Sequence, residues 1–294
     1  MKLFIADAFT QNVFGGNPAG VVIIEDGAPF PSDEIMLKTA AELRYSETAF
    51  IRQLSENEFN IRYFTPAAEV DLCGHATIAS FHCLLDAGLV KEGGEYLNRT
   101  LAGDLKIIIQ NGFIMMDMAA PEHTGIIEAS DKLNELYDVM GIPYGAVNSG
   151  GRLLLPEIIS TGLPDIIMPV SSRAQLAAIS PDFKALSALS EEYGVTGVHA
   201  FTLDCAADKI TAHCRNFAPL YGIDEEAATG TANGALTYYL YRNDIIGNGR
   251  ALFIQGEAMD RPSEIHAAID KTDNSANIQV GGSAAILVKG EILL

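Results

Sequence analysis

Apolar positions along this chain fall into two rhythms, one helical and one strand-like. Ala232, Ala235, Leu236, Tyr239 and Leu240 stand at i, i+3, i+4, i+7 and i+8, a single stripe down one helix. Ile78, Phe81 and Leu85 give the same stripe more loosely. Ser32-Asp33 caps a helix that runs to about Leu43, and residues 45–51 then read as a strand. In the second half, Ser180-Pro181 opens a helix to about Tyr193, and a strand follows over 197–201.

These signals recur in one order. Arg62-Tyr63-Phe64-Thr65-Pro66 and Arg215-Asn216-Phe217-Ala218-Pro219 are both Arg-x-Phe-x-Pro at the end of an extended stretch. An acidic loop follows each, containing Glu69 and Asp71 in one and Asp224-Glu225-Glu226 in the other. Each loop reaches a small-residue turn, Cys73-Gly74-His75 or Thr229-Gly230-Thr231, and then a helix. Two unrelated strand-helix units that share these signals by chance is the competing account; the shared order favours duplication. The expected fold is α+β, with two pseudo-symmetric domains, 1–118 and 128–284, each a curved, mostly antiparallel sheet around a central helix. The break falls where Ala119-Ala120-Pro121 interrupts the strand pattern, and the tail from Asn277 to Leu294 is expected to return to the first domain.

Composition narrows the function. The 294 residues are 48% hydrophobic and 19% charged, as in a packed globular protein. With 38 acidic against 19 basic side chains the net charge is −19, which argues against nucleic-acid partners and anionic membranes. No apolar run has membrane-spanning length, and the start of the chain lacks a signal-peptide core, so a cytoplasmic location is expected. Cys73, Cys83, Cys205 and Cys214 are scattered, and the six histidines lack metal-motif spacing. There is no phosphate loop, dinucleotide fingerprint or serine-hydrolase elbow; Gly15-Gly16-Asn17-Pro18-Ala19-Gly20 reads as a hairpin turn.

The chemistry concentrates at the repeated turns. Each opens a helix whose first N–H groups lack intrahelical acceptors, so each is either an ordinary helix start or a grip for a carboxylate; as a repeated pair they favour the second. Glu47 sits in a strand-like run of small and apolar residues, Ser46-Glu47-Thr48-Ala49-Phe50. It lies either on a solvated face or in a cleft where it can hold or release a proton. Aligning the repeats places Val198 opposite it. His75 is either a polar helix cap or a group that steers the Glu47 proton. Glu226 is either part of a solvated charge run or an acceptor for a substrate amine. Cys73 has Thr229 as its counterpart, so a two-thiol racemase is disfavoured and a small buried residue preferred.

Asp7-Ala8-Phe9, Gly16-Asn17-Pro18-Ala19-Gly20-Val21, Ser46-Glu47-Thr48-Ala49-Phe50, the run from Arg62 through Cys73-Gly74-His75-Ala76-Thr77, Ala228-Thr229-Gly230-Thr231 and Val280-Gly281-Gly282 occur in the order seen in one family. The chain resembles the phenazine-biosynthesis (PhzF-like) isomerases over nearly its whole length. The resemblance implies the diaminopimelate-epimerase-like fold, a homodimer, no cofactor, and an active site between the domains. It also implies that Glu47 is the general acid/base, with His75 and Glu226 beside the substrate and Asn17, Ser46, Cys73, Gly74, Gly230 and Thr231 lining its site. The chain departs from the family's Asp-Pro-Val-Thr-Gly-Ser, having Glu226-Ala227-Ala228-Thr229-Gly230-Thr231, which turns the expectation away from the phenazine precursor itself.

The expected activity is a proton-moving isomerisation of a small carboxylate-bearing molecule. The competing expectations are an epimerase or racemase of a small amino or hydroxy acid, and a non-catalytic small-molecule binding protein.

Overall fold

Long runs of apolar residues interrupted by single polar ones form strands buried on both faces, and the strands wrap a helix in each half. The computed structural model describes residues 1–205, 209–272 and 275–293, and the last residue of the tail, Leu294, lies outside the described residues. The chain divides into two compact units, Met1–Asp117 with Gly281–Leu294, and Met118–Val280.

In the first unit the strands lie side by side in the order Ala284–Glu291, Lys2–Ala8, Asn17–Ile23, Thr48–Gln53, Glu58–Phe64, Glu95–Thr100, Gly103–Gln110 and Phe113–Asp117. Two of these neighbouring pairs, Asn17–Ile23 with Thr48–Gln53 and Glu58–Phe64 with Glu95–Thr100, are parallel, and the rest are antiparallel. In the second unit the order is Glu122–Ile126, Glu157–Ser160, Pro164–Pro169, Gly197–Thr202, Ala212–Ala218, Gly249–Gln255 and Ser263–Thr272. Parallel pairs fall at the same two places in that order. The sequence repeat is therefore a repeat of topology. The Gly-rich segment forms its turn before Asn17, and from Asn17 onward the chain is already strand, because Asn17 to Ile23 pair with Ala8 to Lys2.

Among the described residues six α-helices serve these sheets: α1 (Asp33–Leu43), α2 (Gly74–Asp86), α3 (Ser130–Val139), α4 (Arg173–Ala178), α5 (Phe183–Tyr193) and α6 (Gly230–Arg242). The Ser32 hydroxyl accepts the Ile35 N–H and caps α1. The cap of α5 is Asp182, which accepts from the Ala185 N–H at 3.0 Å, two residues later than the Ser180-Pro181 signal implies. α1 buries Met36 and Ala40 with Val22, Phe50 and Phe64 on one sheet face. Leu186 and Leu189 of α5 and Leu133 and Leu136 of α3 do the same on Ile166, Met168, Val198 and Phe217.

The opposite sheet faces receive α2 and α6. Both helices are buried nearly all round, Ala76 to Phe81 in one and Ala232 to Thr237 in the other, so the expected stripes understate their burial. Residues beneath them need not be apolar. Tyr63 and Thr77 share a hydrogen bond of 2.6 Å, and Asn98 donates to the Tyr63 hydroxyl at 2.9 Å. Beneath α6, strand alternation aims Asp165, His199 and Asn216 away from the outer cluster. His199 Nδ1 lies 3.1 Å from Asn216 Oδ1, and burial pushes its pKa down to about 4.

Asp165 is fully buried, and its Oδ1 has no hydrogen-bond partner. Burial, then the nearby charge of Glu226, raises its pKa from 3.8 to about 8, against a lowering by the Gly197 N–H. The folded protein keeps this proton where the unfolded chain has released it. Its contribution to stability is thus complete below pH 3.8 and is lost as pH rises through about 8.

Two predictions follow from this packing. In Asp165→Asn the side chain no longer titrates, so between pH 5 and pH 8.5 the wild-type melting temperature falls relative to the variant; parallel melting profiles across a pH series would refute a neutral Asp165. A Cβ built on Gly197 meets the Phe217 carbonyl oxygen at 1.9 Å, a backbone atom that cannot swing aside. Gly197→Ala should therefore lower stability by about 2 kcal/mol or more in urea unfolding.

Candidate active site

The two Arg-x-Phe-x-Pro segments perform one structural task twice. Arg62 grips Glu69 through two parallel bonds, Nε to Oε1 at 2.7 Å and Nη2 to Oε2 at 2.6 Å. Arg215 grips Glu225 in the same way at 2.8 and 2.7 Å. Each guanidinium also lies over the Phe two residues on, at 5.2 Å from Phe64 and 4.9 Å from Phe217. These clamps tie the acidic loop to the sheet and so fix where the following helix begins. Counting from the clamped acids, Glu226 corresponds to Val70, Thr229 to Cys73, and Thr231 to His75.

At the start of α2 the imidazole of His75 gathers four side chains. Asn17 Nδ2 lies 3.1 Å from Nδ1, and Ser46 Oγ lies 3.3 Å from Nε2. Cys73 Sγ is 3.3 Å from Nδ1 and 3.8 Å from Nε2. Glu47 Oε2 is 3.2 Å from Nε2, close enough to interact, although the ring N–H is not well aimed at it. With the Asn17 amide donating to Nδ1, the ring proton belongs on Nε2, the side of Ser46 and Glu47. His75 is 2% exposed, and burial lowers its pKa, opposed by the Glu47 charge. The ring is therefore neutral at pH 7, a hydrogen-bond donor rather than a counter-ion.

Glu47 is not inside the strand. That strand is Thr48–Gln53; residues 45–46 form a bend after the left-handed Arg44 (φ 60°), and Glu47 follows it just before the strand. The Glu47 carbonyl still accepts the Gly20 N–H at 3.2 Å, so the sheet edge holds its backbone while the bend frees the side chain to turn to His75. The side chain is 12% exposed, which overturns a solvated surface position.

The counterpart of Glu47 is also corrected. Phe50 stands opposite Arg62, and Ala200 stands opposite Arg215. Stepping back three residues from each aligns Glu47 with Gly197, not Val198. A side chain is barred there by the Phe217 carbonyl. The first unit thus carries an acid where the second cannot, and the second carries Glu226 where the first has Val70.

In the second unit the Thr229 hydroxyl donates to Glu226 Oε2 at 2.5 Å, a short charge-assisted bond. Gln255 Nε2 donates to the Glu226 carbonyl at 2.8 Å, and Gln255 Oε1 accepts from Asn233 Nδ2 at 2.8 Å. Asn233 also donates to the Thr229 carbonyl, and Ser263 to the Ala227 carbonyl, each at 2.8 Å. The Thr161 hydroxyl donates to the Thr231 carbonyl at 2.9 Å. The turn through Gly230 is therefore held by buried amides and hydroxyls, with Asp165 near Glu226. Asn233, Gln255 and Asp165 were missed in the sequence. Asp165 carried the same signal as Glu47, one acid in an apolar strand.

Glu47, His75, Cys73, Ser46 and Asn17 are thus one cluster in the first unit, with Gly74 between Cys73 and His75 at the helix start. Glu226, Gly230 and Thr231 belong to the second unit's turn. Among the described residues no helix is long and apolar enough to cross a membrane.

Comparison with known proteins gives this arrangement its family. Residues 6–290 match the family described as phenazine biosynthesis-like protein. An uncharacterized isomerase of Clostridium acetobutylicum is 31% identical over 100% of this chain and 98% of its own. The crystal structure of a PhzF-family phenazine biosynthesis protein from Bacillus anthracis superposes with a TM-score of 0.87 at 26% identity, covering 100% of this chain and 99% of that one. A hydroxyproline epimerase from Agrobacterium vitis shares the fold at 11% identity and a TM-score of 0.59, covering 99% and 91% of the two chains. The two wrapped helices, the doubled topology and the whole-length match agree: the chain belongs to the phenazine biosynthesis-like (PhzC-PhzF) family and is an enzyme of the isomerase kind.

Proposed function

We propose that the enzyme is a cofactor-independent isomerase that moves a proton between carbons of a small carboxylate-bearing substrate, with Glu47 as general acid and base. The observation that carries this is the pairing of Glu47, 12% exposed, with a neutral His75 at 3.2 Å beside the start of α2. A carboxylate lone pair takes the proton from an activated carbon, the electron pair shifts along the allylic system, and the resulting carboxyl returns the proton at the far carbon. No net charge, proton or electron is gained. The neutral imidazole presents its Nε2 proton to the substrate beside Glu47, and Asn17 fixes that tautomer from the other side.

The first-turn N–H groups of α2, where the cluster lies, suit a substrate carboxylate, and such a grip explains how a chain of net charge −19 accommodates an anion. Glu226, braced by Thr229, is assigned to polar hydrogens of the substrate. The departure from the family's turn sequence points to a substrate other than the phenazine precursor. A two-thiol epimerisation lacks support, because Thr229 stands where a second cysteine is required. The family resemblance supports a homodimer, and four cysteines with no disulfide among the described residues support a cytoplasmic location.

Small carboxylates that raise the melting temperature identify ligands, and mass spectrometry in heavy water then reports solvent hydrogen entering carbon. Glu47→Gln should keep the fold and the ligand-induced stabilisation while slowing exchange by about 100- to 10,000-fold. Exchange at the wild-type rate in that variant ends the proposal.

A further inference from the structure

We propose that Asn216 is a substrate-binding residue beside Glu226, that His199 aims its amide, and that Asn216 and Glu226 together select a hydroxyl group. The inference rests on the assignment of Glu226 to polar hydrogens of the substrate and names the group that carries them.

Strand register puts the three side chains in one row. His199 of Gly197–Thr202 pairs with Asn216 of Ala212–Ala218, and Asn216 pairs in turn with Glu226 of Ile223–Glu226. Directly opposed residues share a sheet face, with Cβ atoms about 4.5–5.5 Å apart. Phe217 belongs to the outer cluster, so by alternation Asn216 and the row lie on the face beneath α6. Asn216 is 2% exposed, and His199 is fully buried.

The imidazole decides which way the amide faces. Burial keeps His199 neutral at pH 7, with one ring proton. Its Nδ1 lies 3.1 Å from Asn216 Oδ1, a hydrogen bond when that proton is on Nδ1. The bond engages the amide oxygen and turns the NH2 group the other way, toward the strand of Glu226. Asn216 Nδ2 has no partner among the described residues and keeps a narrow contact with solvent. A donor held in the core at one end and open at the other is costly unless an acceptor meets it.

The first unit supplies the contrast. Tyr63 holds the position of Asn216, with Val70 opposite it on one side and Ala49, in place of His199, on the other. The Tyr63 hydroxyl is engaged by Thr77 and Asn98, and no donor is left over. The aimed amide thus accompanies the acid and is absent where the acid is absent.

Glu226 accepts a hydrogen bond and Asn216 donates one. A hydroxyl group answers both, giving its hydrogen to the carboxylate and its lone pair to the amide. An ammonium group has no lone pair for Asn216, an ether has no hydrogen for Glu226, and a methylene group has neither.

The test sets hydroxy acids against their analogues on the full-length chain, by thermal shift and calorimetry. Lactate is compared with propionate and alanine, malate with succinate and aspartate, and β-hydroxybutyrate with butyrate and β-aminobutyrate. At least one hydroxy acid should bind about 10- to 100-fold more tightly than both of its partners. Asn216→Leu and His199→Leu should each reduce that preference to less than about 3-fold. His199→Asn, whose amide N–H replaces the ring Nδ1–H, should retain it. On unaltered protein, nitrogen-15 NMR of labelled histidine should show His199 protonated on Nδ1. Asn233 also faces this ring, and a proton found on Nε2 would reverse the Asn216 amide and overturn the proposal. Hydroxy acids that bind no better than their deoxy partners, or a preference that survives Asn216→Leu, would overturn it too. Should the leucine variants not fold, the wild-type preference and the histidine tautomer decide. A hydroxyl preference in a chain that exchanges no hydrogen leaves this inference standing and ends the proton-transfer reading; exchange without the preference does the reverse.

Discussion

The two bidentate Arg–Glu clamps are the interaction on which the rest depends. Arg62 with Glu69 and Arg215 with Glu225 each cross from a sheet strand to the loop that leads into a central helix. Arg215 Nη1 also donates to the Ile179 carbonyl at 2.8 Å, so the second clamp secures the connection between α4 and α5. Ion pairs at a surface contribute little, but these are planar, two-bonded and stacked on a phenylalanine, with one face out of water. They convert a flexible acidic loop into a fixed approach, so the N–H groups of α2 and α6 point in a defined direction. The second loop is three residues longer and absorbs the excess in a short 3-10 turn, Pro219–Tyr221, without disturbing the clamp.

A shared scaffold leaves each unit free to differ in its chemistry. The first spends its buried polar groups on His75, which binds Asn17, Ser46 and Cys73 around one ring. The second has Thr231 in place of that histidine and puts its amides under the turn instead, where Gln255 and Asn233 hold Thr229. Buried polar networks of this kind are stable only when nearly complete. Asp165, with one oxygen unpartnered, meets the constraint by remaining protonated.

Much of this was legible in the sequence because it is governed by local pattern. The helices α1, α2 and α6, the strand that ends in Thr202 and the doubled order all follow from periodicity, caps and turn residues. The family resemblance also pointed to Glu47 and His75, which the fold brings to 3.2 Å from each other. Positions set by long-range packing were not legible. Glu47 falls between the bend at 45–46 and the strand, because Arg44 is left-handed and the sheet captures only the Glu47 carbonyl. The alignment with Val198 failed because the repeats differ in loop length, and only strand register fixes the partner as Gly197. Gln255 became visible only when strand pairing put it beside Asn233 of α6.

The missing side chain at Gly197 has a historical meaning. If the halves descend from one ancestral unit, the copy that took up the close approach of the Phe217 carbonyl gave up any side chain at that point. No single mutation restores it, because any β-carbon collides with main chain. The difference between the copies is therefore locked in by backbone spacing, and a carboxylate at this place can stand only in the amino-terminal half.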